Sequence, residues 1–306
     1  MTTTAVAAPA ARRGWHRRRY LWGYLFISPW LIGFVVFTAG PFLASLLLSL
    51  TNWEIVGTPS WVGLSNYERI FTRDARFTRT LGNTAYYVLF HVPGVNLLAL
   101  ACALLLNQKL RGIAVYRTLF YMPSVTSGVA TAVLWIWVFN GQYGVLNSFL
   151  GVFGISGPNW LFDFNWSMNA LIIMSLWGMG NAMLIYLAGL QNVPQHLYEA
   201  ALVDGASYVD IYRRIVLPLS RPILVTITAF SFIAHWNDFF GPLIYLNSPK
   251  QMTLAVGLLF FKSDTDSLVH LLLAASVITL LPIVIVFLLA QRYFVSSIMM
   301  TGLKEG

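Results

Sequence analysis

The chain repeatedly offers apolar stretches about 20 residues long, the length a helix needs to cross the hydrocarbon of a bilayer. Six spans are expected, at 21–48, 84–106, 115–139, 168–190, 223–246 and 268–292. Composition agrees: of 306 residues, 58% are hydrophobic and 10% charged, against roughly 45–50% and about 25% in soluble domains. So few charges cannot cover a water-facing surface, and an ordinary soluble core protein is excluded. The fold class expected is all-α and integral to the lipid bilayer, with six transmembrane helices. The net charge of +8 does not indicate a nucleic-acid partner, because the basic residues cluster at the ends of apolar stretches, where they anchor and orient helices. Cys102, the single cysteine, lies inside an apolar stretch, so no disulfide within the chain is possible.

The first stretch is long. As one helix, 21–50 would reach about 45 Å, and Gly40-Pro41 is expected to bend it. The preceding "ARRGWHRRRY" is similar to the basic start of a signal peptide. The apolar run behind it exceeds the 7–15 residues or so of a cleaved segment, so it is read as a retained first span. Lys and Arg then set orientation. With the N-terminus inside, thirteen of them face the cytoplasm and six the outside, a bias that favours N-in and C-in. The divisions are a cytoplasmic basic segment 1–20, a transmembrane domain 21–292 and a cytoplasmic tail 293–306. Arg69, Arg73, Arg76 and Arg79 in "NYERIFTRDARFTRTLGN" count against the bias, and an amphipathic helix at the outer interface would accommodate them. The outer loop 140–167 has no Lys or Arg and carries Trp160 and Trp166, residues suited to a membrane–water boundary.

Between spans four and five lies a polar interlude, "YEAALVDGASYVDIYRRIVLPLSRP". Pro194 suits a helix start, where its missing N–H costs nothing. Gly205 suits the left-handed residue that ends that helix. Ser207 can cap a second short helix, which Pro218 is expected to stop. The result is a helix–turn–helix on the cytoplasmic face. Ala200 and Ala201 leave a small surface beside Glu199, Asp204, Asp210, Arg213 and Arg214. On these grounds alone an ordinary amphipathic connector explains the segment equally well.

The spacing Glu199-Ala200-Ala201, Gly205, Ile215, Leu217-Pro218 resembles the EAA loop of binding-protein-dependent ABC importer permeases. Asp204 and Ala206 fit its sugar-importer form, "EAA..DGA". "WVGLSNYERIF", "LGNTAYYVL", "LNQKLRGIAVYRTLFYMPSV" and "VFNGQYGVLNSFLG" are similar to the maltose and glycerol-3-phosphate type of permease. The resemblance implies a type I ABC importer transmembrane-domain fold, with 191–222 as the coupling loop that docks on a separate ATPase subunit. Glu199, Ala200, Ala201, Asp204, Gly205, Ile215, Leu217 and Pro218 would be its coupling residues. Implied partners are a second permease subunit, two ATPase subunits and an extracytoplasmic solute-binding protein, in a bacterial or archaeal inner membrane. The first half is similar to one permease of the pair and "HWNDFFGPLIYL", "TLAVGL" and "QRYFV" to the other, so the seat stays open, as does a homodimer. The chain is not expected to be an enzyme. None of its four lysines follows glycine, as a phosphate-cradling Gly-Lys-Ser/Thr loop requires. No cofactor or metal is expected here, and ATP and magnesium would belong to the partner ATPase.

Polar side chains inside spans are costly and face a cavity or another helix. Trp177 with Asn181, and His235 with Asn237 and Asp238, form candidate substrate-path groups: amides and carboxylates bond hydroxyls, and rings stack on the apolar faces of sugars. Helix–helix packing or a water-exposed span end accounts for them equally well. His91 neighbours Pro93 and can mend that kink. Haem is not expected, because His91, His235 and His270 lie scattered along the sequence with no attachment motif. "GISG" lacks the spacer of a nucleophile elbow. A self-sufficient carrier or channel using Asp238 is the competing reading, though it has no need of an EAA pattern. Topology is testable by labelling: a cysteine at Ser148 reacts with an impermeant reagent added outside, and one at Ser207 is protected. The reverse pattern would overturn the orientation.

Overall fold

The computed structural model describes residues 12–55, 57–108, 110–261 and 268–302. Residues 1–11 of the basic start, Lys109, Lys262 and tail residues 303–306, with Lys304, lie outside the described residues. The chain begins with α1 (Arg12–Phe34), a π-helical turn (Val35–Ala39) and α2 (Gly40–Leu48). Where a bend is expected at Gly40-Pro41, Trp22–Leu48 runs as one span and carries that π turn, in which the Gly40 N–H bonds the Val35 carbonyl. A β-carbon on Gly40 would stand 2.8 Å from that oxygen. None of the apolar stretch Trp22–Leu48 is buried within the chain.

A two-residue ladder follows, β1 (Thr51–Asn52) antiparallel to β2 (Ser60–Trp61); it departs from the all-α expectation. The arginine-rich segment splits into α3 (Ser65–Arg73) and the start of α4 (Ala75–Leu106). The Asp74 carboxylate divides them by accepting the Arg76 and Phe77 N–H groups at 2.9 and 3.0 Å. Arg76 and Arg79 therefore ride on the first turns of the long span, which begins before the expected residue 84, and only the α3 part is a separate helix.

The third expected span is broken. α5 (Ile113–Val125) and α6 (Gly128–Val138) meet at 98°, because Thr126 and Ser127 are extended. The outer loop carries α7 (Val145–Val152). Trp160 is buried there and donates its indole N–H to Asn147 Oδ1 at 2.7 Å, so it is a core residue and not a boundary marker. Trp166 packs on it at 5.0 Å and stays exposed. The fourth span is bent by 43° between α8 (Ser167–Leu176) and α9 (Gly180–Gln191).

Next come α10 (Gln195–Val203), α11 (Tyr208–Ile211), a π-helical turn (Tyr212–Val216) and α12 (Leu217–Trp236). Pro218 does not stop the second helix as expected: Tyr208–Trp236 is continuous and reads as one apolar helix. The π turn shifts the bonding pattern just before the proline, with the Leu217 N–H bonding Tyr212. Pro218 then falls in the opening turn of the following α-helical stretch, where a missing N–H is tolerated. The fold closes with α13 (Phe240–Tyr245), α14 (Leu254–Gly257) running into a 3₁₀ turn (Leu258–Phe261), and α15 (Val269–Gly302). The fifth expected span thus ends at Trp236 and not at residue 246.

Among the described residues, four helices are long and apolar enough to cross a membrane, and six crossings result if each bent pair is one. α4 is the central post, packing on α8, α9 and α12. One core, including Phe77, Trp160 and Phe261, gathers around its first half. A second, including Ala103, Leu106 and Leu190, gathers around its last turns. At the first end, Thr84 Oγ1 accepts the Leu254 N–H at 2.7 Å, and the Asn83 amide donates to the Lys250 and Met252 carbonyls, each at 3.0 Å.

The two broken spans touch at their breaks. A β-carbon on Gly180 would lie 2.6 Å from Ser124 Oγ, 2.7 Å from the Phe120 carbonyl oxygen and 2.9 Å from the Tyr121 Cα. Backbone atoms cannot swing aside as a side chain can. Gly180→Ala is expected to cost about 1–3 kcal/mol by overpacking, lowering the unfolding midpoint in detergent. Gly151→Ala, where a β-carbon meets nothing within 4 Å, serves as the control; equal midpoints for the two variants would refute the close approach.

Candidate functional site

The interlude at 194–218 is built by local bonding. Pro194 precedes α10 with an extended backbone, and its carbonyl accepts the Leu197 N–H at 3.1 Å. The other end is a Schellman turn: the Ala206 N–H bonds Ala201 at 2.9 Å and the Gly205 N–H bonds Leu202 at 3.1 Å. Gly205 has φ +80°, and a β-carbon there would meet nothing within 4 Å. The requirement for glycine is therefore purely one of backbone conformation. Ser207 Oγ accepts the Asp210 N–H at 3.2 Å and donates to Asp210 Oδ2 at 2.6 Å, starting α11 as expected. Asp210 also pairs with Arg214 at 3.5 Å, with both side chains solvent-exposed, so the pair adds little to stability.

One side of this helix–turn–helix is anchored. Tyr198, Ala201, Ala206, Tyr212 and Ile215 pack against the core cluster that includes Leu106, Leu187 and Leu190 at the far end of α4 and α9. Burial pushes the Tyr198 phenol above the usual tyrosine range. The other side is free: Glu199, Ala200, Asp204 and Gly205 are exposed. Ala200 and Ala201 thus do not share one small surface, since Ala201 turns toward the bundle and Ala200 away from it. Glu199 Oε1 accepts the Gln195 amide at 2.9 Å, which steadies it one turn on. Leu217 is half-buried and Pro218 exposed, both on the continuous helix.

Four apolar side chains complete the free side. Leu202, Val203, Tyr208 and Val209 are exposed, Val203 at 87%. They were not singled out from sequence; the available signal was large apolar residues at the two helix ends flanking the glycine turn. Small, apolar and acidic groups thus share the free side of the turn.

A second polar constellation lies beside the middle of α4. His91, fully buried, stacks on His235 with ring centroids 3.5 Å apart. The histidines expected to be scattered are therefore in contact, His270 excepted, which lies near Trp53 instead. Ser175 gives its hydroxyl proton to the Ile172 carbonyl at 2.7 Å, so His91 Nδ1 must donate in its 2.6 Å bond to Ser175 Oγ. His235 Nδ1 donates to the Ser231 carbonyl at 2.9 Å. Both rings are thus held with the proton on Nδ1, and His91 Nε2 has no partner among the described residues. Asp238 accepts the Tyr87 hydroxyl and the Gly241 N–H, each at 3.2 Å.

The expected path residues do not all meet here. His235 and Asp238 do, with Tyr87, His91 and Ser175, which sequence reading left out or treated as kink repair. They do so although α12 ends between them at Trp236. Asn237 turns back to its own helix, its amide donating to Ile233 at 3.1 Å. Trp177 and Asn181 stand on opposite sides of the 43° bend and do not share a face. Trp177 packs edge-on against Trp135 at 5.8 Å, and Asn181 is exposed.

The sequence profile described as binding-protein-dependent transport system inner membrane component matches residues 95–299. The probable ABC transporter permease protein YesP of Bacillus subtilis is 43% identical over 210 residues, 68% of each chain. The trehalose/maltose transport system permease protein MalF of Thermococcus litoralis is 33% identical over 78% of this chain and 82% of its own. The arabinooligosaccharides transport system permease protein AraP of Bacillus subtilis is 29% identical over 95% of both. In three dimensions the chain is similar to a chain of a bacterial ABC transporter that imports the acidic polysaccharide alginate. The TM-score is 0.74 at 22% identity, over 92% of this chain and 98% of that one.

Asp238→Ala strips a buried hydroxyl of its acceptor and α13 of its first-turn contact. Uptake is expected to fall severely, with a stability cost of about 1–3 kcal/mol. Asn237→Ala, which loses a bond within its own helix, is expected to leave uptake within about two-fold of wild type, since such surface changes stay near 0.5 kcal/mol. Equal behaviour of the two variants in a solute-uptake assay would reduce the constellation to packing.

Proposed function

The chain belongs to the family of binding-protein-dependent transport system inner membrane components, and from that premise we propose how it works. It is a multi-pass membrane permease subunit of an ABC importer, not an ATPase. We place it in the cytoplasmic membrane of a bacterium or archaeon with six crossings, N-in and C-in, counting each bent pair as one. The solute is a sugar, an oligosaccharide or a related polyhydroxylated molecule; relatives named for trehalose/maltose and arabinooligosaccharides support this class. The reading of a self-sufficient carrier loses its footing with family membership.

The observation that carries the mechanism is the loop 194–218: a glycine-capped turn fastened on one side and bare on the other. We assign its bare side, with Glu199, Ala200, Asp204 and Gly205, to a cleft on a partner ATPase, which would hold ATP and magnesium. Because Ile215 and Leu217 continue into α12 without interruption, a push on the turn would be passed along that helix to His235 in its last turn. Helix breaks at 126–127, 177–179 and 237–239 expose backbone at membrane depth, which is tolerated only beside protein or a water-filled path. The first two lie against each other, and we assign the solute path to the side of the third, beside His235 and Asp238. The bare helix Trp22–Leu48 suits contact with a second permease subunit, and a solute-binding protein would deliver the solute from outside. A related fold has been seen with a periplasmic protein carrying an alginate pentasaccharide.

A charge-assisted contact from Glu199 is worth about 1.5–3 kcal/mol, a large part of a transient docking energy. Gly205→Val is expected to be worse, because a β-branched residue is poorly tolerated at positive φ. The spans stay inserted, the ATPase is released or uncoupled, and uptake stops, while solute binding by the external receptor is untouched. The measurement is ATPase retained on purified complexes and its stimulation by loaded receptor. Wild-type values for both would overturn the coupling role of the turn.

A further inference from the structure

The four arginines that oppose the charge bias are not spread at random. Three of them, Arg69, Arg73 and Arg76, line a cleft of about 870 Å³ between α3, the start of α4 and the start of α15. Its apolar wall includes Ile70, Phe261 and Leu271. This is the end of the molecule opposite the coupling loop, since that loop packs on the last turns of α4. All three guanidinium-bearing residues are exposed, and among the described residues no carboxylate forms an ion pair with any of them. Glu68 and Asp74 also border the cleft. Asp74 is already engaged with the backbone of α4. Arg76 is held over the Phe260 ring at 5.9 Å.

Depth identifies the occupant. α4 has 32 residues, about 48 Å at 1.5 Å per residue, whereas the hydrocarbon layer is about 30 Å thick. Its first nine residues, ARFTRTLGN, are polar and its apolar stretch begins only at residue 84, so the turn that carries Arg76 stands outside the hydrocarbon, on the headgroup and water side. Phe71, exposed at 51%, points an apolar ring outward from the same stretch of α3. Guanidinium forks match phosphate oxygens, and an apolar wall below them matches glycerol and the first methylenes of an acyl chain. The cleft exceeds what a lone phosphate needs. We propose that it binds the headgroup of an anionic phospholipid of the outer leaflet and that this is what Arg69, Arg73 and Arg76 are for.

The test is native mass spectrometry of the full-length chain, purified in detergent and titrated with phosphatidylglycerol. Phosphatidylcholine and free glycerol phosphate are the comparison probes. Wild type is expected to prefer phosphatidylglycerol over both. Each of Arg69→Gln, Arg73→Gln and Arg76→Gln is expected to weaken that binding roughly five-fold, the equivalent of ~1 kcal/mol per arginine near a membrane surface. Arg79→Gln, outside the cleft, should leave it unchanged. Equal weakening by Arg79→Gln would mean diffuse surface charge, and equal binding of glycerol phosphate would mean an anion site with no lipid in it; either overturns the proposal. So does a triple variant that binds phosphatidylglycerol normally but no longer engages the solute-binding protein, which would give the arginines to a protein partner. ATPase coupling does not enter the measurement, so its outcome is independent of the transport reading.

Discussion

Inside hydrocarbon a peptide group has no water to bond, so every N–H and C=O must find its partner in the protein. A helix meets most of that demand by itself, as α4 and α15 do apart from the carbonyls left open by Pro93 and Pro282. The broken spans have to meet it otherwise. At 126–127 and 177–179 they do it by leaning on each other: Ser124 Oγ donates to the Gly178 carbonyl at 3.3 Å, and Gly180 brings α9 against the backbone of α5. At 237–239 Asp238 bonds the Gly241 N–H and the Tyr87 hydroxyl. The packing of α5, α8, α9, α12 and α13 follows from where these irregular segments find partners.

The same demand shapes the loop. Four carbonyls at the end of α10 would be left open by a simple stop. The Schellman turn at Gly205 closes two of them with the N–H groups of Gly205 and Ala206, and Ser207 opens the next helix at once. The turn is therefore short and stiff. Ala201, Ala206 and Ile215 fasten it to the end of α4 and α9, while Val203 and Val209 are left bare. The π turn at Tyr212–Val216 then lets Pro218 stand within a helix continuous from Tyr208 to Trp236.

Some of this was legible in the chain and some was not. Gly205 and Ser207 could be placed because a left-handed turn and a helix cap each have a residue signature acting over three or four positions. Asp74 carries the same kind of capping signature, set within a run of arginines, and it divides α3 from α4. Pro218 misled, since a proline usually ends a helix and a π turn upstream has no sequence mark. The meeting of His91, Ser175 and His235 spans three helices, and nothing in the spacing of 91, 175 and 235 records it. Trp160 was read by its type as a boundary residue, although Asn147 draws it into the core.

The sequence by itself determined that this chain lives in a bilayer, roughly where its apolar helices run, and that a glycine-turned polar loop interrupts them. Those properties depend on transfer free energies and on backbone preferences, which are local and nearly additive along the chain. Only the tertiary structure decided that two spans bend, that no residue of Trp22–Leu48 is buried within the chain, and that Tyr87, His91, Ser175, His235 and Asp238 share one place. It also decided that Arg69, Arg73 and Arg76 face one cleft. Those outcomes depend on which helix lies beside which, and that is settled by packing and by the partners that broken backbone must find, neither of which any local stretch of residues contains.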